Sequence, residues 1–116
     1  ITGGSGADSL FGEAGSDTFV YLTLGDSGHQ GRFDLILALQ AGDVIDLSAI
    51  DAKAGRAGDQ AFHIVAGFSG QAGELVLAYD ADSASTYISG DVDGDGAADL
   101  VIRAVGDHAT FTGFAL

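Results

Sequence analysis

The chain has 116 residues, enough for one domain with its own core. It carries 4 Lys+Arg against 17 Asp+Glu, a net charge of −13, with 19 Gly and no Cys. A field this negative repels phosphate backbones and anionic bilayers, and the missing thiols exclude disulfides, thiolate zinc sites and thiol catalysis.

The acids are skewed: 15 are Asp and two, Glu13 and Glu74, are Glu. Asp is a turn former and an oxygen ligand for hard cations, whereas Glu favours helices. The longest apolar run, Leu35 to Leu39, is too short to span a bilayer, and no charged-then-apolar leader opens the chain. Neither nucleic acid nor membrane insertion is expected. An apolar content of 47% excludes wholesale disorder. A Cys-free, Asp-rich composition suits a protein exported unfolded and folded outside, where calcium is plentiful. The missing initiator Met suggests a piece of a longer protein.

The first 20 residues hold a repeat of period nine. Gly3-Gly4-Ser5-Gly6-Ala7-Asp8-Ser9-Leu10-Phe11 is followed by Gly12-Glu13-Ala14-Gly15-Ser16-Asp17-Thr18-Phe19-Val20, with Glu13 where a second Gly would stand. This is the Gly-rich nonapeptide of a parallel β-roll. Its glycines allow a positive φ in a tight turn and leave carbonyls open to a cation, its Asp adds a carboxylate, and its apolar residue points inward. Two nonapeptides make one full turn, so Asp8 and Asp17 fall on opposite edges. Asp34-Leu35-Ile36 and Asp43-Val44-Ile45 repeat the Asp-x-aliphatic pattern, again nine apart. Residues 33–47 are therefore expected to close the roll, stacking on the first turn and sharing metal with it. The stretch from Tyr21 to Arg32, with Asp26 inside it, reads as a crossing loop.

From Asp46 the character changes. Residues 46–52 read as one helical turn capped by Asp46 or Ser48, and residues 53–60 as a polar loop. Strands are expected over 61–65, 74–79, 85–89, 99–105 and 108–111, separated by Gly and Asp turns. In the fourth, Leu100, Ile102 and Ala104 alternate with Val101, Arg103 and Val105. The expected architecture is all-β: a short calcium-binding parallel β-roll over residues 1–47 runs into an antiparallel sandwich or roll over 48–116, as one continuous domain.

Nine-residue periodicity makes Asp8, Asp17, Asp26, Asp34 and Asp43 calcium candidates rather than ordinary turn residues. For Asp43 a strand-capping role suits equally well. Asp91, Asp93, Asp95 and Asp99 imitate the start of an EF-hand loop, but Ile102 stands where a bidentate Glu is required and the flanks read as strands. That segment is either a hairpin connection or a weaker calcium site. The three histidines, His29, His63 and His108, share no ligand spacing, and His63 reads as a satisfied sheet residue. No nucleophile elbow is present, and nothing in the spacing gives Glu74 an acid/base partner. The chain is expected to lack catalysis of its own.

The two nonapeptides, Asp34-Leu35-Ile36, residues 42–52, Gly58-Asp59-Gln60-Ala61-Phe62, residues 68–75, Gly90-Asp91-Val92-Asp93-Gly94-Asp95-Gly96 and the ending Phe114-Ala115-Leu116 occur in order. Together they resemble the C-terminal calcium-binding domain of RTX exoproteins, in particular the serralysin-type module. The resemblance implies a secreted, extracellular, non-catalytic domain that folds on Ca²⁺ and engages a type I secretion machinery through its C-terminus. It implies an N-terminal catalytic or passenger domain in the parent, with a serralysin-type metalloprotease leading. It also implies calcium ligands from Gly3, Gly4, Gly6 and Asp8, from Gly12, Gly15 and Asp17, and from Asp26 and Asp34. The alternative is an accessory binding module that modulates polysaccharide engagement in an alginate epimerase or lyase-type enzyme.

Overall fold

The computed structural model describes residues 8–11, 15–22, 34–37, 39–40, 42–50, 62–108, 111 and 113–116. Among the described residues there are nine strands and no helix. They are β1 (Ser9–Phe11), β2 (Thr18–Val20), β3 (Asp34–Leu37), β4 (Val44–Asp46), β5 (His63–Val65), β6 (Glu74–Asp80), β7 (Ser85–Asp91), β8 (Leu100–Val105) and β9 (Phe114–Ala115).

The first four strands form a parallel roll, each beginning at or just after the Asp of an Asp-x-apolar unit. β1 pairs with β3 so that Leu10 faces Ile36, and β2 pairs with β4 so that Phe19 faces Ile45. All four of these side chains are buried, while Ser9, Phe11 and Thr18 beside them are exposed. The period-two alternation of a half-buried strand is thus met in strands only three or four residues long. Such strands cannot stand alone, and stacking supplies the contacts that each lacks.

The second half adds an antiparallel meander. β6 pairs with β7 over seven residue pairs, and β7 pairs with β8 over six. Along β8 the alternation read from the sequence holds, with Leu100, Ile102 and Ala104 buried and Val101, Arg103 and Val105 less so. The meander is not a separate sheet. β8 lies parallel to β3, with Asp34 opposite Ile102 and Ile36 opposite Ala104. The result is one mixed six-stranded sheet, β1-β3-β8-β7-β6-β5, beside a three-stranded parallel sheet, β2-β4-β9.

Three local expectations are corrected. Asp46 and Ser48 organise a single turn rather than a helix: Asp46 Oδ1 accepts from Ser48 N at 2.9 Å and Ser48 Oγ at 2.6 Å, and Ile50 N donates to Leu47 O. Residues 51–61 lie outside the described residues. Of the strand expected at 108–111, His108 and Phe111 lie in none, Phe111 N donating to His108 O, and residues 109–110 lie outside the described residues; the last described strand comes later at Phe114–Ala115. Nor is the second half purely antiparallel, because β5 and β9 both pair in parallel.

One core cluster links both sheets, including Leu10, Phe19, Tyr21, Ile45, Leu75, Ile88 and Leu100. Gly90 sits within it on β7, where an added Cβ would come 2.8 Å from Phe62 Cε1 and 3.6 Å from Leu100 Cβ. Gly67 faces open space. Gly90→Ala is therefore expected to cost about 1–3 kcal/mol through overpacking. Gly67→Ala is expected to change stability by less than about 0.5 kcal/mol, as surface substitutions do. Urea denaturation of both variants at one fixed calcium concentration checks the contrast.

Candidate metal centre

Two aspartates close the roll by reaching back one turn. Asp34 Oδ1 accepts the backbone N–H of Asp8 at 2.8 Å, and Asp43 Oδ1 accepts that of Asp17 at 2.9 Å. Each bond spans 26 residues. Backbone bonds reinforce both, from Leu35 N to Asp8 O and from Val44 N to Asp17 O, each at 2.8 Å. Asp43 Oδ2 accepts a second N–H, from Gln40, at 2.9 Å. Asp34 and Asp43 are buried, so their carboxyl groups depend on donors from the protein rather than on water. Charged acceptors with backbone donors are among the stronger hydrogen bonds available to a protein.

Asp8 and Asp17 occupy the matching positions of the turn below, one at the edge of each sheet. Their Oδ2 atoms are buried and have no hydrogen-bond partner among the described residues. A buried carboxylate oxygen without a donor is costly unless a cation supplies the missing charge. At the second edge, Gly15 has a φ of 95°, the left-handed backbone required by a tight loop. A Cβ on Gly42 would lie 2.7 Å from Ser16 Oγ, so the loops around Asp17 and Asp43 are closely stacked. The donor set is all oxygen and strongly anionic, which suits a hard divalent cation. Gly3, Gly4, Gly6, Gly12 and Asp26, the remaining candidates of this region, lie outside the described residues.

A second group forms in the β7–β8 connection. Asp91, Asp93, Asp95 and Asp99 bring one carboxylate oxygen each to within 4.8 Å of one another. The loop is a hairpin connection between antiparallel strands, and the same turns that shape it gather the acids. Asp91 is buried; Oδ1 accepts from Gly94 N at 2.8 Å and Oδ2 from Gly96 N at 2.9 Å. Gly94 and Gly96 have φ values of 79° and 80°, which aim their N–H groups inward at little steric cost. Asp99 Oδ2 accepts from Val92 N and Asp93 Oδ1 from Asp95 N. Burial opposes ionisation of Asp91, but the Gly96 and Gly94 N–H groups and its contacts with Asp93 outweigh it, leaving the carboxyl below its ordinary range. For Asp93 the Asp95 N–H favours the carboxylate, yet desolvation and the neighbouring acids Asp95, Asp91 and Asp99 push its pKa up. A carboxyl crowded by acids in this way leaves room for a cation to relieve it.

Other chemistry finds no constellation among the described residues. Both Glu74 oxygens are spent on Ser69, accepting its N–H at 2.8 Å and its hydroxyl at 2.7 Å. His63 is exposed on edge strand β5 rather than held within the sheet. The His108 ring lies 2.9 Å from the Val105 carbonyl. Two features were missed in the sequence: the Ser69–Glu74 clasp, and the grip of Asp34 on Asp8. The equal spacing of Asp8 to Asp34 and Asp17 to Asp43 is the signal that could have found the second.

The family model for the peptidase M10 serralysin C terminal matches residues 1–116. Among solved structures, the solution structure of the AlgE6R2 subunit from the Azotobacter vinelandii mannuronan C5-epimerase is similar, with a TM-score of 0.67 and 25% sequence identity. The match covers 96% of this chain and 66% of that one.

Glu74 offers a pH test separate from the metal candidates. The Ser69 N–H and then the Ser69 hydroxyl hold its carboxyl below the ordinary value of 4.5. Its contribution to stability is thus present above that value and is lost as pH falls through the lower folded value. Glu74→Gln should narrow the stability gap to the wild type as pH drops from neutral to below about 4, a range set by the ordinary carboxyl pKa. Urea midpoints across that range test it, and a gap independent of pH contradicts it.

Proposed function

Because this chain belongs to the peptidase M10 serralysin C-terminal family, we propose that it is a non-catalytic module that couples folding to calcium at the end of a larger exported bacterial protein. The observation that carries this reading is the pair of buried Oδ2 atoms on Asp8 and Asp17 that have no hydrogen-bond partner among the described residues. Asp8 and Asp17 supply carboxylates to calcium, with carbonyls from the loops containing Gly3, Gly4, Gly6, Gly12 and Gly15. Asp26, Asp34 and Asp43 complete the same edges. Asp91, Asp93, Asp95 and Asp99 form a second, weaker site in the β7–β8 connection.

Bound calcium supplies the divalent charge that these carboxylates share. The chain's own residues do the rest. In the unfolded chain the aspartates are dispersed and the site does not exist, so calcium binds the folded state selectively and its binding free energy becomes folding free energy. Without calcium, a net charge of −13 opposes bringing the edges together. With it, the apolar strands close around Leu10, Phe19, Ile36 and Ile45. Low calcium inside the cell then favours an unfolded chain fit for a type I exporter, and high calcium outside favours the fold. A secreted enzyme such as a serralysin-type metalloprotease is the passenger that the family points to.

A second reading is an accessory module that modulates polysaccharide engagement by a neighbouring catalytic domain. The similarity to a subunit of a mannuronan C5-epimerase favours it. Oligosaccharide titration at saturating calcium separates the two, since a folding module gives no binding.

Calcium titration of the metal-stripped chain, followed by far-UV circular dichroism, tests the first reading. A cooperative gain of β signal is expected between about 0.1 and 1 mM Ca²⁺, the range of extracellular modules, and not with Mg²⁺. Asp8→Asn and Asp17→Asn should each move the midpoint to higher calcium. A chain fully folded in chelator overturns the proposal.

A further inference from the structure

The last strand lies against the second metal edge, not against the meander that precedes it in sequence. β9 pairs in parallel with β4, placing Phe114 opposite Ile45 and Ala115 opposite Asp46. Backbone bonds flank this pairing on both sides: Ile45 N donates to Gly113 O and Leu47 N to Ala115 O, each at 2.8 Å. Its partners on β4 begin two residues after Asp43, whose carboxylate holds the Asp17 loop. A Cβ added at Gly113 would run into the Asp43 carbonyl oxygen and come 2.6 Å from Phe111 Cζ. The Asp43 residue therefore touches both partners, with its side chain on the cation loop and its carbonyl against the chain end.

The dock is small. β9 has two residues, and Phe111, Phe114 and Leu116 are only partly buried where they pack against the core. Phe111 meets Phe114 edge-to-face at 5.3 Å, which folds the end of the chain onto itself. A two-residue edge strand is among the first parts of a fold to open. Its docking surface exists only while residues 43–47 keep their present position. The Asp43 grip on Asp17 and Gln40 holds that position together with the pairing of β4 on β2.

We propose that β9 is a latch for the chain end, closed by cation binding at the Asp17–Asp43 edge and indifferent to the Asp8–Asp34 edge. The proposal rests on the calcium reading given above. Asp8 and Asp34 serve the six-stranded sheet, whereas Asp17 and Asp43 belong to the three-stranded sheet that contains β9. Cation at the second edge draws the Asp17 loop and Asp43 together, completing the surface on which residues 113–116 dock. By linkage, docking of the chain end raises the affinity of that edge by the same factor. The calcium-free chain then leaves residues 113–116 undocked. The calcium-bound chain covers them.

Carboxypeptidase digestion of the 116-residue chain at saturating calcium reads the latch directly. Asp17→Asn is expected to speed loss of the terminal residues by about tenfold, within the usual range of coupling between sites. Asp8→Asn is expected to leave that rate within a factor of about two of the wild type, the residual expected when coupling is absent. Equal acceleration in both variants, or none in either, overturns the latch. Gly113→Val supplies the reverse arm without touching a candidate ligand. It blocks docking and is expected to raise the calcium concentration for half-occupancy by about tenfold, read by isothermal titration. An unchanged affinity in that variant also overturns the latch. A wild-type chain that takes up no calcium overturns the calcium reading itself. A wild type that takes up calcium, with its tail digested equally fast in calcium and in chelator, overturns the latch alone.

Discussion

Everything in the first half depends on two carboxylates gripping backbone N–H groups one turn away. Asp34 holds Asp8, and Asp43 holds Asp17, with the same span and nearly the same geometry. The grip sets the register of β3 on β1 and of β4 on β2, and hence which side chains meet inside the roll. A slip of one residue would turn Ile36 and Ile45 outward and bring their polar neighbours in. Strands this short have too few ladder bonds to specify register alone, so the capping aspartates add what length does not.

The same geometry creates the electrostatic problem that a cation solves. A stacked roll places an Asp at the start of every strand, at the sheet edges, within a chain already at −13. Part of the carboxylate demand is met inside the protein, because Asp34 Oδ1 and both Asp43 oxygens receive N–H donors. Part is not: among the described residues, the Oδ2 atoms of Asp8 and Asp17 are buried without donors. The Asp91–Asp99 loop repeats this division: Asp91 is satisfied by Gly94 and Gly96, while Asp93 is pushed toward protonation by its neighbours. In both places backbone donors fully occupy one acid, Asp43 or Asp91, and serve its neighbour less completely.

The meander has a different role. Its longer strands, with β6 and β7 at seven residues each, provide a platform of regular pairing. β8 presents its free edge to β3 and so extends that platform into the roll. The roll is thus supported laterally by the meander through β3 and along its second sheet by β9. Polar side chains reinforce the far end: Thr86 Oγ1 donates to Gly106 O and accepts from His108 N, tying β7 to the residues after β8.

Much of this was legible in the residues. The nonapeptide period marks β1 and β2, the returning Asp-x-aliphatic units mark β3 and β4, and alternation marks β8, because each is a local pattern with a fixed period. The family could be read from the order of its motifs, and the all-β class from a composition rich in Gly and Asp. What the sequence could not decide was long-range pairing. Nothing local states that β8 runs parallel beside β3, that β9 docks on β4, or that Asp34 and Asp43 each spend one oxygen on the turn beneath. Periodicity records which face of a strand is buried, whereas the choice of partner follows from how separate stretches of chain share one core. That choice decides which aspartates are satisfied by backbone donors and which are left for a cation, and only the tertiary structure makes it.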